Sequence, residues 1–236
     1  MFAFTYKRFF SAVAMVGVIS LQPASADSDV DPLEGFNRSV YSFNKAVDRV
    51  VYKPLAQAYT SVTPDLVEKG VHNFFSNIGD VTTLLNSILQ LKGEASAISL
   101  SRIMFNTTFG LGGVLDVATP MGLREQIEDF GQTLGYWGAP SGPYVVLPLL
   151  GPSNVRDTVG LAVDINTDVW GREAKPTDSK NVGTGLRLLD RRVQLFPAER
   201  LVSGDEYVFV RDAYMQRREF LVQDGRFDQQ FDESDF

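Results

Sequence analysis

The sequence predicts a mostly α-helical protein: a bundle of amphipathic helices interrupted by one apolar hairpin loop framed by proline and glycine. Three observations carry that prediction. Apolar residues recur at intervals of three and four along most of the chain, and no sustained alternation of apolar and polar residues occurs anywhere. The third is Phe130 to Val155, which holds no charged residue and contains GPYVVLPLLGPS at Gly142 to Ser153. That stretch is long enough to cross a bilayer, but its prolines and glycines forbid a continuous helix. What remains is a short apolar tongue, Tyr144 to Leu150, that is either a core hairpin or a surface that meets lipid.

The helices follow in order. Leu33, Phe36, Val40, Phe43, Val47 and Val50 form one apolar stripe, with Asp31-Pro32 expected as N-cap and first turn. Tyr52-Lys53-Pro54 breaks it, and a short helix runs on to Val62. Thr63-Pro64-Asp65 starts a long helix through Val67, Val71, Phe74, Ile78, Val81, Leu85 and Ile88, whose flanking Leu66, Phe75, Leu84 and Leu89 broaden the apolar side well beyond a single seam. Gly93-Glu94 opens the next helix, which Gly110-Leu111-Gly112-Gly113 closes as a C-cap. Glu128 to Leu134 is a short helix, and Tyr144 to Leu147 is the one strand-like piece. Asn154 to Val169 is helical, and Gly171 to Gly185 reads as a polar loop. Leu186 to Phe196 and Asp205 to Val222 are the last helices.

The termini read differently. Lys7 and Arg8 precede an apolar run, Phe9 to Leu21, and the small residues Ala24-Ser25-Ala26, the pattern of a cleaved secretory signal over residues 1–26. Residues 27–222 are then expected to form one domain and 223–236 an acidic, disordered tail. The 236 residues include no cysteine, so neither a disulfide nor an acylated N-terminal thiol of the lipoprotein kind is expected. The formal charge of −7, more negative still without Lys7 and Arg8, disfavours nucleic acid and anionic surfaces as partners. The 17 phenylalanines sit on nearly every predicted helix, which suggests a body lying in a membrane interface.

Catalytic chemistry finds little support. His72 is the one histidine, so no metal site of Cys/His type and no HExxH can be assembled. No serine occupies a G-x-S-x-G elbow, and Ser141 has the wrong spacing. Asp27 to Asp31 imitates the start of a calcium loop, but Pro32 and Arg38 stand where glycine and glutamate are needed. No enzyme activity, cofactor or metal is therefore expected.

Several blocks, in order, resemble the MlaA/VacJ family: Asp31-Pro32-Leu33-Glu34-Gly35-Phe36-Asn37-Arg38, Tyr41-Ser42-Phe43-Asn44, Phe109 through Ala118, Phe130 through Gly135, GPYVVLPLLGPS with Arg156-Asp157, and Tyr207 through Tyr214. The resemblance implies a ring-like helical protein in the periplasmic leaflet of a bacterial outer membrane, associated with trimeric porins. Such a protein removes misplaced phospholipid from the outer leaflet through an amphipathic passage and gives it to a soluble periplasmic carrier, to maintain lipid asymmetry. On that reading Phe43, Asn44, Gly110, Gly112, Gly113, Asp116, Pro143, Tyr144, Leu147, Pro148, Leu149 and Pro152 are expected near the passage. Arg191, Arg192, Arg217 and Arg218 are expected to meet headgroups or a partner. The residues alone leave open a soluble periplasmic lipid- or hydrophobe-binding module.

Overall fold

The structure, a computed structural model, describes residues 31–225. The leader predicted at 1–26 and the tail beyond residue 225 lie outside the described residues. The elements are helix α1 (Glu34–Val47), a π-helical segment (Asp48–Tyr52), α2 (Lys53–Val62), α3 (Asp65–Leu89), α4 (Gly93–Thr108), a 3-10 turn (Thr119–Met121), α5 (Phe130–Tyr136), strands β1 (Tyr144–Leu147) and β2 (Gly151–Asn154), α6 (Val155–Thr167), α7 (Val169–Glu173), α8 (Thr177–Gln194), α9 (Phe196–Glu199) and α10 (Glu206–Val222). The fold is mostly helical, as the periodicity predicts, with one antiparallel two-stranded ribbon that pairs Tyr144 with Asn154 and Leu147 with Gly151.

Two local expectations are corrected. Asp31 does not cap α1. Leu33 holds that position without a side-chain bond, and the Asp31 carboxylate is instead buried, accepting from Asn37 Nδ2 at 2.7 Å and from the Tyr207 hydroxyl. A buried carboxylate gathers the donors that tertiary packing brings it. The polar loop expected over Gly171 to Gly185 is interrupted by α8, which begins at Thr177. Its first turns carry Ser179, Gly183 and Thr184 where an apolar stripe would have signalled a helix, so hydrophobic periodicity is faint there.

The elements pack as a closed circuit. α1 meets the π segment and then α2; α2 packs on α8, α8 on α3, α3 on α5 and α5 on α6. α6 meets β2, β2 pairs with β1, and β1 returns to α1. α4 lies along α3, and α10 braces α5 and β2. Ion pairs bind the joints: Arg192 to Asp48 at 2.6 Å across α8 and the π segment, Lys53 to Glu199, and Lys45 to Glu206. At the α5–α6 crossing a Cβ on Gly160 would overlap the Gly131 backbone, so glycine sets that approach.

Burial in this circuit is inverted relative to a water-soluble domain. Among the described residues the buried apolar side chains are Ala56, Phe75, Ala118, Tyr144, Val146, Val193 and Tyr207, while 19 polar or charged residues are buried and 32 large apolar residues are exposed. Scattered exposed leucines are ordinary; a polar interior beneath so much exposed apolar surface is not. Helices arranged this way suit an apolar surrounding, where close packing and hydrogen bonds hold the interior together.

Candidate functional site

The hairpin is the first part of the candidate site, and side chains on α1 fasten it. Asn37 Nδ2 donates to Tyr144 O at 3.0 Å and Asn37 Oδ1 accepts from Val146 N at 2.9 Å. Two turns later Asn44 repeats the device, donating to Leu147 O at 2.9 Å and accepting from Leu149 N at 2.8 Å. Two asparagines on one helix thus act as a surrogate strand edge, satisfying backbone groups that a two-stranded ribbon leaves open. Tyr144 and Val146 point into a small core with Tyr207, flanked by Tyr41 and Tyr214. The tip points outward: Leu149, at φ 63°, is 49% exposed and Leu150 is 61% exposed. The tongue is therefore a core hairpin at its base and an apolar surface at its tip.

The second part lies at the end of α4. Leu111, Gly112 and Gly113 take left-handed backbone, and Gly112 N and Gly113 N reach back to Thr107 O at 3.1 Å and Asn106 O at 2.9 Å, capping α4. At Gly113, with φ 96°, a Cβ would also stand 2.6 Å from Asn77 Nδ2. Asn106 Oδ1 accepts from Val117 N and Ala118 N, and Asp116 accepts from Thr119 N at 3.1 Å. Beneath this turn Arg102 is buried, donating to Asp80 Oδ2 at 3.1 Å, Thr119 Oγ1 at 3.0 Å and Leu123 O at 2.8 Å. Burial pushes the Asp80 carboxyl up to about 7, against the opposing pull of Arg102.

The predicted passage residues thus fall into two groups. Phe43, Asn44, Pro143, Tyr144, Leu147, Pro148, Leu149 and Pro152 gather at the α1–hairpin corner, whereas Gly110, Gly112, Gly113 and Asp116 gather in the turn after α4, beside Asn77 and Arg102. Phe43 is half exposed and Tyr144 fully buried. The four arginines divide as well. Arg192 holds Asp48 and Glu199, and Arg218 joins Asp129 and Asp157 at the junction of α5, α6 and α10. Arg217 is exposed. Arg191 is also an exposed residue, yet desolvation by the surrounding protein lowers its guanidinium below the usual arginine value, with repulsion from Arg187 adding to the effect.

Sequence reasoning missed Asn37 as a clamp, Arg102 as a buried anchor, and the Asp129–Arg218–Asp157 junction. Their partners lie tens of residues away, so only the run of polar residues on otherwise apolar helices hinted at them. His72 Nδ1 lies 3.1 Å from Asp190 Oδ2, and that bond raises the imidazole pKa.

Fold and site together define a class: a helical circuit with a hydrogen-bonded interior, an apolar exterior and an apolar-tipped hairpin clamped to its first helix. Comparison with known proteins makes the class specific. The family model described as MlaA lipoprotein matches residues 29–221, and the chain belongs to that family. The intermembrane phospholipid transport system lipoprotein MlaA of Escherichia coli is 34% identical over 226 residues, covering 91% of this chain and 89% of the relative. Its Haemophilus influenzae counterpart is 31% identical over 224 residues, covering 92% and 89%. A solved structure described as "Structural basis for maintenance of bacterial outer membrane lipid asymmetry" superposes with a TM-score of 0.69 at 32% identity, covering 81% of this chain and 98% of its own. The family and these relatives carry the word lipoprotein, at odds with the expectation, drawn from the lack of cysteine, that this chain is not one. No cysteine occurs in the 236 residues.

Proposed function

We propose that this protein is a non-enzymatic phospholipid transport component of the bacterial outer membrane, removing misplaced phospholipid from the outer leaflet to maintain lipid asymmetry. The observation that carries the reading is the inverted burial of a closed helical circuit. Among the described residues no helix is long and apolar enough to cross a membrane, so the reading is one of lying in the periplasmic leaflet. Leu85, Ile88 and Leu89 on α3, Leu100, Met104 and Phe109 in and just after α4, and Tyr136 with Trp137 give the outer surface an apolar and aromatic character suited to that depth.

The interior of the circuit serves as an amphipathic passage. Phospholipid demands an apolar side for its tails and a polar side for its phosphate; uncharged amides, hydroxyls and glycines supply the latter without trapping an anion. The hairpin tip at Pro148 to Leu150 shapes or gates one end, and Arg191 meets the phosphate. Handing the lipid to a soluble periplasmic carrier and seating beside a trimeric porin complete the reading. The working unit is one domain over residues 27–222, exported by the N-terminal segment and held by the apolar faces.

The test is genetic and biochemical. Deleting the gene is expected to raise surface-exposed phospholipid in the outer leaflet, and re-expression to reverse it; an unchanged outer leaflet overturns the proposal. Carbonate washing separates this reading from a soluble lipid-binding module, since the protein should stay with the outer membrane.

A further inference from the structure

A concavity lies away from the hairpin. α3, the turn after α4, α7 and α8 enclose an apolar cavity of about 770 Å³. Leu66, Val67 and Phe74 form one wall, Val114 and Leu115 another, and Val182 with Leu186 the third. Two glycines let its walls approach one another. A Cβ on Gly70 would meet Val114 Cγ1 at 3.0 Å, and one on Gly183 would overlap the Trp170 ring. Trp170 is thereby laid against α8 and packs edge-on to Phe74 and Phe75, with ring centroids 5.9 and 5.5 Å away. Leu66 is 74% exposed and Val182 65% exposed, so the cavity opens outward rather than being sealed.

We propose that this cavity holds one acyl chain of a phospholipid. The inference rests on the lipid-transport reading above and names where a tail is taken up. The chemistry of the lining chooses the occupant. Its only polar side chains are Asp178 and Ser179. A bound peptide would bring an N–H and a C=O for every residue, and this wall could pair almost none of them. A hydrocarbon brings no such groups, and the volume falls within the roughly 300–1,000 Å³ of ordinary ligand pockets. An anionic ligand head is disfavoured beside Asp178, so the chain enters tail first.

The experiment uses the full-length protein with Trp137→Phe, which leaves Trp170 as the only tryptophan. The probes are lysophospholipids of increasing chain length carrying bromine on the acyl chain, and the readout is quenching of Trp170 fluorescence. Saturable quenching is expected, tightening by up to about fourfold per added methylene until the cavity is full and then levelling off. Val182→Phe, which fills the mouth from α8, should weaken it by roughly tenfold or more. Leu66→Phe on the opposite wall should do the same, and Val62→Phe, outside the cavity, should not. Both cavity positions are exposed, so circular dichroism should stay unchanged. Quenching that never saturates, that ignores both filling variants, or that is lost because the protein pairs with a second copy overturns the proposal. If the filled variants fully restore lipid asymmetry in a deletion strain although Trp170 quenching is gone, the cavity's part in transport is overturned while the transport reading stands.

Discussion

The corner made by α1, the hairpin and α10 is built as a water-soluble protein would be, and the α3–α4 pair is built the other way round. At the corner, Tyr144, Val146 and Tyr207 are packed inside, and the polar groups buried with them, Asp31 and Asn37, are bonded to backbone or to each other. Along α3 and α4 the buried polar residues are Asn77, Asp80, Thr83, Asn86, Ser87, Ser99, Arg102 and Asn106, with Phe75 the one large apolar side chain among them, while Leu85, Ile88, Leu100 and Met104 face outward. The contrast teaches that one chain uses two stabilising regimes. The hydrophobic effect closes the corner, and it can do little for helices whose apolar sides remain exposed. Those helices depend on close approach and internal hydrogen bonds, and they gain their hydrophobic stabilisation only when lipid covers the outer face.

The contrast can be broken most sharply at Arg102. Replacing it with methionine leaves Asp80 buried without its partner, and a loss of about 3–5 kcal/mol is expected in thermal or chemical unfolding. Next comes Asn37→Ala at the corner, which frees Tyr144 O, Val146 N and Asp31 Oδ1 together. A cost of about 3 kcal/mol is expected, with proteolysis at the hairpin as a second readout.

The third prediction concerns pH. Burial holds Asp80 up to about 7 and Asp164 up to about 6, both above the carboxylate's ordinary value, so the folded state binds protons more tightly than the unfolded one. The stability contributed by these two groups should therefore fall as pH rises from about 4 to 7. His72, raised by its bond to Asp190, acts in the same sense as pH climbs through its folded pKa. Asp164→Asn keeps one acceptor for Phe130 N and should add about 1–2 kcal/mol at neutral pH while flattening that slope, as unfolding measured across the range will reveal. The smallest effect is expected at Ser99→Ala. Its buried hydroxyl has no partner, so removing it should change stability by less than about 0.5 kcal/mol or slightly improve it. A large loss there would mean that the α3–α4 seam depends on bonds the static arrangement does not contain.

How much of this was legible beforehand varies by element. The helices α1, α3, α4, α6 and α10 follow the spacing of apolar residues closely, because a helix periodicity shows whichever medium its apolar side meets. Asp129 and Asp205 cap α5 and α10 through their own backbone neighbours, so they too are local and readable. The start of α8 was hidden because glycine and hydroxyl residues stand on its packed face, where they admit Trp170. Among the site residues, Asn44 was singled out by resemblance, yet its role as a clamp on Leu147 and Leu149 depends on a strand a hundred residues away. Arg192 and Arg218 were expected to reach outward, and their acidic partners within the fold hold them instead.

By itself the sequence determined the helical periodicity, the apolar tongue that no helix could contain, the absence of cysteine and the ordered blocks that mark the family. Those are properties of neighbouring residues, and local sterics and solvation act on them wherever the chain lies. Only the tertiary structure decided which way the apolar faces point, that the polar faces close on one another, and that the tongue is core at Tyr144 and surface at Leu150. The reason is physical: an amphipathic helix has two faces, and which of them is buried depends on whether its neighbours offer hydrogen bonds or hydrocarbon, a matter settled between elements and never within one.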